Sequence, residues 1–132
     1  WASDPDAQRL GHLGSHFGIN TSGDNLELIE ACDVVVLAVK PQVLATVAKD
    51  INRAVQQHRS LIISIAAGIR SGDLDGWLGG GTSLVRVMPN TPSLVQSGAA
   101  ALYAGTQVDA GQRDLAESIM RAVGLALWVD DE

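Results

Sequence analysis

Three short segments concentrate the residue types that small-ligand chemistry needs: Val39-Lys40-Pro41, Ala66-Ala67-Gly68 and Met88-Pro89-Asn90-Thr91-Pro92. Each follows an apolar run, and in open α/β sheets ligands bind outside the carboxyl ends of the strands, where the strand order reverses. Lys40 either faces that crevice or is a solvated strand end. The small residues Ala66, Ala67 and Gly68 would let a flat ring approach the backbone closely; the plainer alternative is a tight strand exit. Asn90 and Thr91 either orient a substrate or shape a turn between two prolines. His12 and His16 have the spacing of a zinc pair on one helix face. No third ligand accompanies them and Gly14 lies between, so a surface helix and no metal are expected. Cys32 precedes an apolar run and reads as a small core residue. No side chain stands out as a catalytic acid, base or nucleophile.

The elements that would carry these residues alternate. Asp4 is placed to cap a helix with Pro5 at its first position, where the missing N–H costs nothing. Leu10, Leu13 and Phe17 recur at helical spacing, with Gly18 as the stop. Ile19-Asn20 reads as a very short strand. Asp24 to Glu27 reads as a capping box opening a helix that ends near Cys32. Asp33 to Val39 is apolar without alternation, as in a strand buried on both faces of a parallel sheet. Leu44, Val47, Ala48, Ile51 and Val55 line one face of the next helix. Leu61 to Ala66 is a strand, and Ser71 opens a short helix with Leu74, Trp77 and Leu78. After Gly79-Gly80-Gly81 come the strand Leu84 to Met88 and another over Ala99 to Tyr103. Asp109 caps a last helix with Leu115, Ile119 and Val123 inward and Gly124 as its stop, and Leu125 to Val129 closes as a strand. Such alternation predicts an α/β fold with a mostly parallel sheet.

Composition narrows the function classes. The 132 residues fit one domain over 1–132. Hydrophobic residues make up 46% and charged ones 18%, which excludes intrinsic disorder. Nine basic against fifteen acidic side chains leave a net charge of −6, so neither nucleic acid nor a polybasic membrane contact is expected. The apolar run Val34 to Val39 is far too short to span a bilayer. The start, Trp-Ala-Ser-Asp-Pro, has no signal-peptide character, and the single cysteine fits a reducing cytoplasm.

Taken in order, Asp33-Val-Val-Val-Leu-Ala-Val-Lys-Pro-Gln42, Ile63-Ser-Ile-Ala-Ala-Gly68, Val85-Arg-Val-Met-Pro-Asn-Thr-Pro92 and Ser97-Gly-Ala-Ala-Ala-Leu-Tyr103 resemble the pyrroline-5-carboxylate reductase family. The likeness runs from Trp1 to Glu132. It implies a Rossmann-type doubly wound domain that binds NADP(H), or less commonly NAD(H). It also implies reduction of pyrroline-5-carboxylate to L-proline by hydride transfer, in a small-molecule enzyme of the cytoplasm that is a homo-oligomer when full-length. Through the same resemblance Ser3 and Asp4 match a turn facing the adenosine ribose, and Asn25 matches a cofactor contact at a helix start. Ala38, Val39, Lys40 and Pro41 match the strand exit along the nucleotide, and Ala67 a contact beside the nicotinamide. Asn90 and Thr91 join Glu132, which matches an acidic residue near the substrate pocket, as candidate substrate-binding residues. The residues at the ribose turn pull in two directions. A carboxylate at Asp4 would accept from ribose hydroxyls and repel a 2′-phosphate, whereas Ser3 and Arg9 could receive that phosphate, Arg by paired hydrogen bonds.

The family's Gly-x-Gly-x-x-Gly loop and first strand would precede Trp1, and its helical dimerisation domain would follow Glu132. The expected fold is therefore an N-terminally truncated Rossmann sheet, open in its middle and inactive alone. The rival readings are a non-catalytic Rossmann remnant that binds a nucleotide or a partner, and another Rossmann dehydrogenase acting on hydroxyacids. Met88-Pro-Asn-Thr-Pro92 argues against the second.

Overall fold

The computed structural model describes residues 1–90 and 98–132. Among the described residues there are seven strands, β1 (Ala2–Ser3), β2 (Thr21–Ser22), β3 (Val34–Leu37), β4 (Leu61–Ser64), β5 (Leu84–Pro89), β6 (Gly98–Ala104) and β7 (Gly124–Trp128), and five helices. These are α1 (Ala7–Phe17), α2 (Asn25–Ala31), α3 (Pro41–His58), α4 (Ser71–Trp77) and α5 (Ala110–Arg121). The strands form two separate sheets: a parallel pair β1-β2 and a five-stranded sheet in the order β3-β4-β5-β6-β7. β3, β4 and β5 are mutually parallel, β6 runs antiparallel to β5, and β7 runs parallel to β6. The fold is α/β and mostly parallel.

Side-chain alternation assigns the faces. Val35, Leu37, Ile62 and Leu84 point into a core closed by Leu44, Ala48, Ile51 and Val55 of α3, Leu74 of α4 and Ile29 of α2. Leu61, Ile63, Val85, Val87, Ala100 and Leu102 point the other way, under Ala116 and Met120 of α5. β3 departs from the sequence expectation: Val36 is 45% exposed. Among the described residues β3 pairs with β4 alone, which leaves Val36 uncovered.

The turns differ in instructive detail. The α1 cap is Asp6, not Asp4: Asp6 Oδ1 accepts from Gln8 N and Arg9 N at 2.9 and 3.1 Å. Asp4 Oδ1 instead accepts from Asp6 N at 2.8 Å, so the first acid shapes the turn and the second caps the helix. Gly18 ends α1 in the left-handed region at φ 64°, as expected, while Phe17 is 63% exposed. The short strand falls on Thr21–Ser22 rather than Ile19-Asn20, because Thr21 and Ser22 are the residues in register with Ala2 and Ser3. Asp24 caps α2, but Glu27 does not close a box; its carboxylate takes the Ser22 hydroxyl at 2.6 Å. The capping box is found at α5, between Asp109 and Gln112. There the buried face is carried by Ala116 and Met120, and Leu115 is 44% exposed. α5 ends at Arg121, and Gly124 opens β7 instead of stopping the helix.

Candidate nucleotide-binding edge

Because β3, β4 and β5 are parallel and in register, their carboxyl ends open on one edge of the sheet. Ala38, Lys40, Ala67, Gly68, Met88, Pro89 and Asn90 are all exposed there, while Val39 and Pro41 are half-buried. Lys40 is the N-cap of α3 and makes no side-chain capping bond; Pro41 follows at the first helical position. The 18-residue α3 therefore begins directly at the strand exit, with backbone N–H groups and the positive end of its dipole at this edge. Gly68, at φ 76°, takes a left-handed turn that no side chain beyond glycine adopts cheaply. The exit from β4 thus runs through three small residues, two of them exposed.

The ribose-side candidates are joined by hydrogen bonds. Ser3 Oγ donates to Asn25 Oδ1 at 2.8 Å, tying the end of β1 to the first residue of α2. Arg9 Nη1 lies 2.7 Å from Asp4 Oδ2. Hydrogen bonding from the Asp6 N–H, then from Arg9, holds the Asp4 carboxyl below its ordinary range, so it stays ionised at neutral pH. Arg9 is raised in turn, first by its hydrogen bond to Asp4. The carboxylate and the guanidinium are therefore a paired unit, with the Arg9 side chain 62% exposed.

The substrate-side candidates separate. Asn90 Oδ1 accepts from Ala99 N at 2.9 Å and Asn90 N donates to Ala99 O at 3.2 Å, closing the β5-β6 pair. Thr91 lies outside the described residues. Glu132 reaches back to the sheet: its Oε2 accepts from Ser71 N at 2.8 Å and from Arg86 Nη1 at 3.3 Å. Burial pushes the Glu132 carboxyl up, but the Ser71 N–H and the Arg86 guanidinium outweigh it and leave the group below its ordinary value. Arg86 and Ser71 are partners that sequence reasoning did not single out. The signal was a lone charge inside the apolar strand Leu84-Val-Arg-Val-Met88, since a buried charge requires a counter-ion. His12 and His16 stack on each other with ring centroids 5.5 Å apart. Among the described residues no group of three His, Cys, Asp or Glu could hold a metal, and no helix is long and apolar enough to cross a membrane.

A mostly parallel α/β arrangement with a left-handed glycine turn and a helix start at the carboxyl edge of its strands is Rossmann-like. The chain belongs to the family described as NADP oxidoreductase, coenzyme F420-dependent, which matches residues 1–68. Within that setting it is homologous to pyrroline-5-carboxylate reductases. It is 45% identical over 131 residues to that of Pseudomonas aeruginosa, covering 99% of this chain and 48% of the relative. It is 43% identical over 131 residues to that of Vibrio alginolyticus, with coverages of 99% and 48%. The solved pyrroline-5-carboxylate reductase of Coxiella burnetii superposes with a TM-score of 0.95 at 41% identity, over 98% of this chain and 48% of that one. A Plasmodium falciparum pyrroline carboxylate reductase with NADP bound gives a TM-score of 0.79 at 30% identity, over 86% and 42%. A prephenate dehydrogenase of Aquifex aeolicus shares the fold at 14% identity and a TM-score of 0.76. The chain spans about half the length of the curated relatives it matches.

Proposed function

We propose that this chain is the nucleotide-binding half of an NADPH-dependent pyrroline-5-carboxylate reductase, which forms L-proline in proline biosynthesis. The observation that carries the reading is the 45% identity over nearly the whole chain, joined to the small-residue strand exits at one sheet edge. The residues fit such a cofactor: Ala38, Ala67 and Gly68 leave room for a flat ring against backbone, and Ser3, Asn25 and Arg9 supply polar groups at the ribose side. When bound, the nicotinamide supplies the hydride to the imine carbon, and the imine nitrogen takes a proton. The chain's part is orientation: the exits of β3 and β4 hold the ring, and the start of α3 offers its dipole to the nucleotide. Catalysis on this reading needs no acid or base from Ser3, Asp4, Asn25, Ala38, Val39, Lys40, Pro41 or Ala67, which bind cofactor. Asn90, at the β5 exit, belongs on the substrate side, and the resemblance puts Thr91 there with it. The same reading places the full-length enzyme in the cytoplasm as a homo-oligomer.

The test follows absorbance of the reduced cofactor in the full-length protein. Consumption of NADPH with pyrroline-5-carboxylate, and none with a 2-keto acid, is expected; turnover with the keto acid alone would select the hydroxyacid branch instead.

Cofactor choice gives a sharper outcome. With Arg9 paired to it, the Asp4 carboxylate is neutralised and a 2′-phosphate can approach the exposed guanidinium. Arg9→Ala removes the cation and leaves Asp4 unpaired beside the phosphate. A charge-assisted contact contributes about 1.5–3 kcal/mol, so KM for NADPH should rise roughly tenfold or more while KM for NADH changes little. Equal effects on the two cofactors would place the 2′-phosphate away from Arg9.

A further inference from the structure

Helix α4 starts at Ser71 behind Arg70, whose side chain makes no capping bond. The missing acceptor comes from 61 residues away: Glu132 Oε2 takes the Ser71 N–H at 2.8 Å. The same oxygen meets Arg86 Nη1 at 3.3 Å, with the Arg86 side chain 10% and the Glu132 side chain 19% exposed. Among the described residues Arg86 Nε is buried with no partner, and Glu132 is the only carboxylate paired with this guanidinium. Between β4 and α4 lies only the loop 65–70, which carries Ala67 and the left-handed Gly68. One end of that loop is fixed by β4, where Ile65 N donates to Leu37 O at 3.3 Å. The other end is Ser71.

We propose that Glu132 is a positioning residue: with Arg86 it clasps the start of α4 and so fixes the Ala66-Ala67-Gly68 exit against which the nicotinamide lies. The proposal rests on the cofactor reading above, and it assigns the Glu132 carboxylate to the chain rather than to the substrate. Its hydrogen bonds run inward, to a backbone N–H and a buried cation, which is where a clasp needs them. Removing the carboxylate frees Ser71 and strands a buried positive charge beside the loop. Removing only its charge, as in Glu132→Gln, leaves an acceptor for Ser71 and loses the pull on Arg86.

The experiment uses the full-length protein with Glu132→Ala, Glu132→Gln, Arg86→Lys and the Arg86→Lys/Glu132→Gln pair. Hydrogen exchange at the Ser71 amide should accelerate about tenfold in Glu132→Ala, with amides of α3 unchanged. NADPH affinity, by calorimetry, should fall several-fold, and less in Glu132→Gln. The double variant should fall short of the sum of its singles, as for residues acting through one contact. KM for the imine should stay near the parent value. A raised imine KM with unchanged Ser71 exchange and cofactor affinity would return Glu132 to the substrate and overturn the clasp. Accelerated exchange throughout α3 would overturn it as well, by showing a general loss of stability. If the parent protein does not turn over the imine, the proposed reaction falls while the exchange measurement still reports on the clasp.

Discussion

Gly124→Ala should cost the full-length protein about 3 kcal/mol or more, the largest effect expected of any single methyl group in this domain. Gly124 has φ 151°, in the half of conformational space that side chains avoid, and it stands in parallel register with Gly98. A Cβ there would overlap the Gly98 carbonyl oxygen and lie 2.6 Å from the carbonyl carbon. The obstacle is backbone in the neighbouring strand, so no side-chain rotation relieves it. Backbone strain of this kind costs about 1–3 kcal/mol, and overpacking adds about as much again, against a total stability of roughly 5–15 kcal/mol for a domain. Gly11→Ala is the control: Gly11 sits inside α1 with open space at its Cβ position. That change should stabilise by up to about 1 kcal/mol. Urea midpoints compare the two directly. A Gly124→Ala midpoint equal to the parent would mean that β7 does not pack against β6 in this register.

Much of the scaffold was legible because its signals are local. The unbroken apolar run of β3, the apolar openings of β4 and β5, the helical spacing from Leu44 to Val55, and the glycine stop at residue 18 each follow from neighbouring residues alone. The misplacements share a cause, a competition that only the folded chain decides. Asp4 and Asp6 flank one proline, and either could cap α1; the β1 turn takes the first and leaves the second for the helix. Leu115 and Ala116 differ by one residue in helical phase, and the sheet accepts the smaller side chain. Val36 belongs to a run with the look of an interior strand, yet burial of a strand face depends on what lies beside it. The Arg86–Glu132 pair was the least legible feature. A lone arginine in an apolar strand announces that it needs an anion, but the anion is 46 residues away and beyond any periodicity. The edge candidates divide in the same way: Ser3 and Asn25 are hydrogen-bonded to each other, whereas Asn90 spends its side-chain oxygen on the sheet.

The two unjoined sheets lead to the other large effect. In the common doubly wound sheet the strand order is 3-2-1-4-5-6, and the orders β2-β1 and β3-β4-β5 match the two flanks of its first strand. Among the described residues β1 pairs only with β2 and β3 only with β4, so in this segment each keeps one edge of unpaired backbone groups, beside an exposed Val36. Such edges recruit other strands and lead to association. The turn after that central strand is also where a dinucleotide's pyrophosphate meets a helix N-terminus. The triple glycine at 79–81 does not substitute for it, since it joins α4 to β5, helix to strand. Residues 1–132 produced alone are therefore expected to self-associate and to bind NADPH at least about a hundredfold more weakly than the full-length protein, the loss of two or more charge-assisted hydrogen bonds. Sedimentation velocity and calorimetric titration of the segment and the full-length protein, side by side, supply the comparison. A monodisperse monomer of the segment that binds NADPH at micromolar concentration would show that the two sheets close into a working site without a strand between them.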